Sequence, residues 1–295
     1  MNVFRLMRDM RRPKDLDAVT IRPRLGGRRV PLIILRPKKL PAPGPGLLWI
    51  HGGGYFLGMK EMVYSSVAAE LVRTYGITVI SPGYRLALHK PYPAALEDCY
   101  RALIYMRDNA AALNIAPDKL MAGGVSAGGG LCAALCMLAR DRGEVNISFQ
   151  MPLYPMLDNL DTASSRDNHG KVWNTRRNHF GWRVYLRRDA KKAVSPYASP
   201  ARQTDYSGLP PCYTFVGDGE PFYCETLEYV ENLRKAGISA DADVYHTDVH
   251  AFDLMRKDEE PALEAKRVFS ERFGKAAGLS RGCTADSDAS STPGQ

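Results

Sequence analysis

Two glycine-rich motifs limit what this chain can fold into more than any other feature of its sequence. The first is HGGG at residues 51–54, and the second is GVSAG at residues 124–128, with Ser126 at its centre. Glycines after a strand expose backbone N–H groups that can hold a negatively charged oxygen. A serine between glycines fits a sharp strand-to-helix turn that projects its hydroxyl above a sheet. Together the motifs predict a serine hydrolase that acts on an acyl bond.

Strand-like and helix-like segments alternate from residue 29 onward. Short apolar runs such as 47–51 and 77–81 are typical of strands buried on both faces. Helical spacing follows, as in residues 93–113 and 128–142. This alternation predicts an α/β fold, with a mostly parallel central sheet and helices on both faces.

The alternation breaks over residues 156–205, which are polar, basic and aromatic. This insertion falls between two predicted strands, at the carboxyl edge where parallel sheets bind ligands, and a long insertion there often serves as a lid. We expect residues 1–279 to form a single domain. The tail, residues 280–295, is rich in Ser, Thr, Asp and Gly, and we expect it to be disordered.

The general base should follow the serine, because the chain order in this kind of fold is Ser, acid, His. The histidines after Ser126 are His169, His179, His246 and His250. The first two lie in the insertion, and His246 ends a predicted strand. His250 lies in the loop just beyond that strand, where a base belongs, so we predict that it is the base. His51 precedes the serine and is expected to be a structural hydrogen-bonding residue.

The acid that orients the base should follow the predicted strand Cys212–Gly217. Two carboxylates, Asp218 and Glu220, come directly after it. Pro221 looks like the first residue of a helix, which would place Glu220 at the helix cap. One carboxylate should orient His250 and the other should be local structure, and their chemistry alone does not separate them.

A tetrahedral intermediate carries an oxyanion that needs preorganised N–H donors. Gly53 and Gly54 are expected to supply two of them, and Ala127, directly after the serine, the third. Gly52 is the nearest substitute. The reaction proposed in this way requires neither a metal nor a cofactor. Cys132 and Cys136 stand four residues apart, but no pair of histidines follows to complete a zinc site.

Positive charge is concentrated in two segments of a chain whose net charge is +8. Residues 1–39 contain 12 Lys or Arg against 3 Asp, and residues 166–192 contain 9 against 2. Basic patches attract nucleic acid, anionic membranes or anionic substrates. No nucleic-acid-binding motif accompanies the charge, and a solvated basic surface is the favoured interpretation. We expect a small-molecule ester as partner and no nucleic acid, and a homodimer remains open.

The sequence also carries expectations about location and substrate size. No apolar run reaches 18 residues and no signal-like segment opens the chain, so we expect a cytoplasmic protein without stable membrane insertion. Four bulky side chains fall in segments near the expected pocket, and no long apolar helix in the insertion would serve as an interfacial lid. They are Trp173, Trp182, Tyr185 and Phe222. This favours short-to-medium acyl esters over emulsified long-chain fat.

The motifs together resemble the hormone-sensitive-lipase-like family of α/β-hydrolases, which includes many bacterial esterases. The HGGG motif matches residues 51–54, and the G-D-S-A-G-G motif matches residues 124–129, with Val125 in place of Asp. The H-G-F motif aligns with residues 250–252. The acid motif D-P-L-x-D-E aligns with residues 220–225, which implies that Glu220 is the triad acid.

The resemblance covers roughly residues 29–275 and implies a serine carboxylesterase that forms an acyl-enzyme. It also implies a small cap built from about 1–28 and 156–205, although the N-terminal arm is short and would leave the pocket open. An amidase, a lactonase or an acyltransferase could use the same machinery. A non-catalytic, receptor-like member of the family is the remaining alternative.

Overall fold

The computed structural model describes residues 10–187 and 193–280. Its strands are β1 (Leu16–Ile21), β2 (Arg24–Leu25), β3 (Arg28–Arg29), β4 (Leu32–Pro37), β5 (Gly44–Ile50), β6 (Thr78–Pro82), β7 (Ile115–Val125), β8 (Phe149–Leu153), β9 (Cys212–Gly217) and β10 (Ala240–Tyr245). Its α-helices are α1 (Val67–Tyr75), α2 (Ala94–Asp108), α3 (Ala127–Arg142), α4 (Thr175–Leu186), α5 (Tyr223–Lys235), α6 (Phe252–Met255) and α7 (Glu260–Ala277). Short 3₁₀ helices cover Lys60–Ser65 and Pro200–Arg202.

One eight-stranded sheet organises the chain, in the order β1-β4-β6-β5-β7-β8-β9-β10, while β2 and β3 form a separate small hairpin. β4 is antiparallel to both β1 and β6, and the pairs from β6 to β10 are parallel. The central strands are buried almost throughout, as expected where both faces are covered. The predicted α/β fold with a mostly parallel sheet is therefore confirmed.

Each face of the sheet carries its own hydrophobic core. Helices α2, α3 and α5 pack on one face through side chains such as Leu103 and Leu131. Helices α1 and α7 pack on the other through side chains such as Leu71 and Phe269. Two covered faces leave the carboxyl ends of the parallel strands as the place for a site.

Part of the segment 1–28, which was expected to form a cap, belongs to the central sheet. Residues 16–21 form β1 at the edge of the sheet, where Leu16 pairs with Pro37 and Ile21 with Leu32. β1 forms because it pairs with β4. The alternating pattern that begins at residue 29 does not indicate this contact. Residues 1–9 lie outside the described residues, as does the predicted tail from residue 281 onward.

The connection from β8 to β9 (residues 154–211) holds the predicted insertion. Helix α4 was not predicted there, and its inner face, with Trp182, Tyr185 and Leu186, is buried. Elsewhere, the 3₁₀ helix Lys60–Ser65 is separated from α1 by Ser66, whose side chain caps α1 by accepting a hydrogen bond from the Ala68 N–H at 3.2 Å. None of the helices in the described ranges has the length and apolar character that a bilayer crossing requires.

Candidate active site

Ser126 lies in the turn between β7 and α3, at the carboxyl end of the sheet. Its φ and ψ are 57° and −122°, a conformation that L-residues adopt only when the surrounding structure enforces it. The backbone is held on both sides, because its N–H donates to the Leu153 carbonyl and its carbonyl accepts from the Met156 N–H, each at 3.0 Å. The predicted strand–turn–helix is therefore present, with the serine at its apex.

The turn leaves no room for a side chain at either of its two flanking glycines. A Cβ on Gly124 would come within 2.8 Å of the Ile50 carbonyl oxygen, and one on Gly128 within 2.5 Å of the His51 carbonyl oxygen. Both obstacles are backbone atoms of the neighbouring β5 and its loop, so they cannot rotate away. The GVSAG spacing thus reflects close packing of the turn against β5.

His250 lies in the loop between β10 and α6, directly beside the serine. Its Nε2 is 2.9 Å from Ser126 Oγ, and its Nδ1 is hydrogen-bonded to the Glu220 carboxylate. Because a carboxylate only accepts, Nδ1 carries the proton and Nε2 is free to accept from the serine hydroxyl. All three side chains are buried, and Ser126 is only 6% exposed.

Glu220 is held in the turn after β9 by a second hydrogen bond. Its other carboxylate oxygen accepts from the Gly217 N–H at 3.1 Å. The helix after it begins at Tyr223, two residues later than expected from Pro221, so Glu220 is not a helix cap. The turn residues instead aim the carboxylate inward at His250.

Asp218, the competing carboxylate, points the other way. Its oxygens accept from His246 Nδ1 at 2.7 Å and from the Thr247 N–H at 3.1 Å, at the surface. The hydrogen bond from His246 lowers the pKa of Asp218 and raises that of His246. Of the other late histidines, His169 and His179 are exposed and lie beside Asp167 and Asp161.

The glycine run after β5 turns back toward the serine. Gly53 and Gly54 have φ values of 118° and 59°, and Gly52 lies against Ser126, where a Cβ would be 3.3 Å from the serine Cβ. Within the described residues the N–H groups of Gly53 and Gly54 donate to no protein acceptor. The Ala127 N–H, in the first turn of α3, likewise has no acceptor within its helix. These are the three amides predicted to form the oxyanion hole.

His51 is buried in the wall of the site. Its Nδ1 donates to the Gly52 carbonyl at 2.8 Å, and its ring stacks on Tyr84 at 4.1 Å between centroids. Burial lowers its pKa to about 4, so the ring is neutral at ordinary pH. This arrangement matches the structural role expected from the sequence.

An aromatic cluster of Phe56, Trp173 and Phe222 closes over the site. The Trp173 ring lies 6.4 Å from both the His250 and the Phe222 rings, and 6.3 Å from Phe56. It also contacts Gly54, where an added Cβ would collide with it. The Trp173 loop therefore lies over the site, while residues 16–21 of the N-terminal segment belong to the sheet.

Trp182 and Tyr185, also expected near the pocket, lie one layer farther out. Both contact the Tyr55 ring, at 5.4 and 4.0 Å, rather than His250. Tyr55 in turn donates to the Met156 carbonyl at 2.8 Å, beside the serine turn. These side chains hold α4 on the body of the protein.

Three buried side chains near the site escaped the sequence analysis. Tyr154 meets the His250 ring edge-on at 5.2 Å and donates its hydroxyl to Asp253 at 2.7 Å. Glu225 accepts from the N–H groups of Leu157 and Asp158. The sequence offered one signal for Glu225, which is the last residue of the stretch aligned with D-P-L-x-D-E. Tyr154 and Asp253 are 99 residues apart, and no sequence signal connects them.

The assembled site can carry out nucleophilic acyl chemistry with protein groups alone. It offers a hydroxyl, a base positioned to accept its proton, a carboxylate behind the base, and unoccupied amides alongside. In the described part of the chain, no group of three or more His, Cys, Asp or Glu side chains could hold a metal ion. Cys132 and Cys136 are buried free thiols on α3.

Comparison with known proteins agrees with this architecture. A family described as alpha/beta hydrolase fold matches residues 47–254. An arylesterase of Saccharolobus solfataricus is 32% identical over 246 residues, covering 81% of this chain and 79% of its own. The carboxylesterase NlhH of Mycobacterium tuberculosis is 30% identical over 227 residues, covering 76% and 71%. A bacterial heroin esterase superposes with a TM-score of 0.88 at 30% identity, covering 93% and 89%.

Proposed function

Because the chain belongs to the hormone-sensitive-lipase-like family of α/β-hydrolases, we propose that it is a serine carboxylesterase acting through Ser126, His250 and Glu220. The observation that carries the proposal is the continuous row of hydrogen bonds from the Ser126 hydroxyl through His250 to Glu220, with the serine on a strained turn. The esterase names of the relatives support the choice of an ester bond.

In the first half of the reaction, Ser126 Oγ attacks the ester carbonyl while His250 Nε2 takes its proton. Glu220 stabilises the imidazolium that forms and keeps Nδ1 protonated. The carbonyl oxygen becomes an oxyanion held by the N–H groups of Gly53, Gly54 and Ala127. Collapse of this intermediate expels the alcohol, which receives its proton from Nε2, and leaves an acyl-serine.

In the second half, a water molecule gives its proton to His250 Nε2 and attacks the acyl carbonyl. A second oxyanion forms in the same hole. Its collapse releases the carboxylic acid and returns the proton to Ser126 Oγ. Each proton therefore moves between oxygen and one nitrogen, and the cycle closes without an external group.

The aromatic cluster supports a preference for short-to-medium acyl chains. Ser126 is 6% exposed beneath Trp173 and Phe222, so a chain entering this space meets bulky walls. Each methylene gains about 0.8 kcal/mol only while it finds apolar surface and room. We expect the best acyl groups to contain about eight carbons or fewer.

A fluorophosphonate probe tests the proposal directly. It should label one peptide, the one containing Ser126, and Ser126→Ala should abolish labelling and reduce ester turnover by on the order of 10⁴ or more. Ser148→Ala is the matched control, because Ser148 Oγ only donates to the Leu120 carbonyl at the far end of the sheet. Labelling that survives in Ser126→Ala, or turnover lost equally in the control, would reject the assignment.

A further inference from the structure

The outer face of helix α4 has an unusual composition for a solvent-exposed surface. Its exposed positions Arg176, Phe180 and Arg183 are spaced by four and three residues, which places them along one side of the helix, and the exposed Arg187 directly follows the helix end at Leu186. Phe180 is 37% exposed, and the Arg183 guanidinium lies 5.5 Å above its ring. The face is therefore a row of cations around an exposed aromatic ring.

These arginines carry no compensating negative charge in the part of the chain that the structure describes. No carboxylate there lies within ion-pair distance of Arg176, Arg183 or Arg187. Asp161, an acidic residue of the same connection, is paired with His179 of α4 at 2.7 Å. Arg202, by comparison, lies later in the same connection and is paired with Asp158 at 2.5 Å. Among the described residues, the guanidinium groups of Arg176 and Arg183 therefore have no acidic partner, while Arg187 donates to backbone carbonyls.

Exposed apolar side chains adjoin the arginines. Phe180 packs edge-on against Phe56 at 4.9 Å, and the next residue, Leu57, is 55% exposed. Arg187 donates to the Ala87 carbonyl at 3.2 Å, and the adjacent Leu88 is 45% exposed. Single exposed apolar residues are common, but a set beside unpaired arginines suggests an interaction surface.

We propose that this surface docks the protein onto anionic lipid bilayers. Basic side chains interleaved with Phe and Leu suit the headgroup region, where cations meet lipid phosphates and carboxylates while apolar side chains enter the acyl boundary. The Leu57 N–H donates to the Gly53 carbonyl at 2.9 Å, so docking would bring the membrane beside the active site. This binding is peripheral, and it does not depend on the proposed esterase activity.

Flotation with lipid vesicles tests the proposal without any measurement of turnover. The protein should float with phosphatidylcholine vesicles that contain about one third phosphatidylserine, and far less with phosphatidylcholine alone. Each basic residue near such a surface contributes roughly fivefold to binding, so Arg176→Glu/Arg183→Glu should weaken partitioning by at least roughly twentyfold. Phe180→Ser should remove binding that persists at high salt.

The matched control is Lys38→Glu/Lys39→Glu, which makes the same change of charge beside exposed Leu40, before β5 and at the opposite end of the sheet. It should float like the wild type. Thermal melting and p-nitrophenyl acetate hydrolysis should be unchanged in both double variants, which separates loss of docking from loss of folding or catalysis. Absence of flotation, equal loss in both variants, or binding to single-stranded RNA but not vesicles would overturn the proposal.

Discussion

Asp218 and His246 form a hydrogen-bonded pair at 2.7 Å on the protein surface, two residues away from the carboxylate that reaches His250. The first acid after β9 is therefore already engaged with a histidine outside the site. Glu220 alone of the two approaches the base. The geometry thus distinguishes two carboxylates that are chemically alike and nearly adjacent in sequence.

Amide substitutions at these two positions should have very different effects. Glu220→Gln should lower kcat by on the order of 10³ to 10⁴, because an amide cannot stabilise the imidazolium and favours the wrong tautomer. Asp218→Asn removes only a surface pair, so kcat should change by no more than about twofold. Steady-state kinetics with one p-nitrophenyl ester checks both. The reverse ranking would move the acid to Asp218.

Gly53→Ala and Gly54→Ala should differ in whether a second substitution, Trp173→Ala, restores their activity. A Cβ on Gly54 collides with the Trp173 ring, whereas one on Gly53 collides with the Leu57 backbone carbonyl. Both substitutions should reduce kcat by roughly 10² or more, the loss typical of a damaged oxyanion hole. Adding Trp173→Ala should recover about tenfold or more for Gly54→Ala, since the positive φ alone costs an alanine only about 1–2 kcal/mol. It should recover nothing for Gly53→Ala, and equal rescue of both would contradict the packing.

Removing the Trp173 ring should also change acyl selectivity. For the wild type, kcat/KM across p-nitrophenyl esters should peak at about eight carbons or fewer, then decline. Trp173→Ala should move the peak to longer chains, with up to about fourfold gain for each added methylene that finds new space. Trp182→Phe, in the outer layer, is the control and should keep the wild-type profile. A rate increase at the micelle threshold would instead indicate a lipase.

The Asp253 carboxyl should make the stability of the protein depend on pH, whereas an Asn amide at this position does not titrate. Burial raises its pKa from 3.8 to about 6, so the folded protein favours the protonated carboxyl. That stabilisation is fully present below pH 3.8 and is lost as the pH rises through 6. Asn does not titrate, so Asp253→Asn should gain stability relative to wild type as the pH rises. Its free energy of unfolding minus that of wild type should be up to about 3 kcal/mol larger at pH 8 than at pH 4.

Urea denaturation at a series of pH values measures this difference. Asp218→Asn is the control, because Asp218 lies in an exposed pair with His246 and not in the core. Exposed pairs contribute little to stability, so the difference between Asp218→Asn and wild type should vary far less between pH 4 and pH 8 than the difference for Asp253→Asn. A pH-independent difference for Asp253→Asn would mean that its carboxylate is not destabilised by burial.

The parts of the site that could be predicted from sequence are those fixed by local backbone geometry. Ser126 was identifiable because its glycines follow a strand and open a helix, and His250 because it follows the last strand. Glu220 could be chosen over Asp218 only through the family resemblance. The backbone of the turn directs Glu220 inward to His250 and Asp218 outward to His246, and the sequence does not show this path.

The features that escaped prediction depend on contacts between distant parts of the chain. β1 becomes a strand through pairing with β4, and α4 is held by the packing of Tyr185 on Tyr55. The hydrogen bond from Tyr154 to Asp253 likewise joins separate elements that approach only in the folded protein. Local periodicity contains no record of such contacts.

The placement of Trp173 has an evolutionary consequence. Ser126, Glu220 and His250 each follow a strand of the sheet, whereas Trp173 lies on the long excursion between β8 and β9. Mutations in that excursion can redraw the space for the acyl chain while the strands and their hydrogen bonds stay as they are. Evolution can therefore change which esters such a protein accepts without changing the residues that stabilise its sheet.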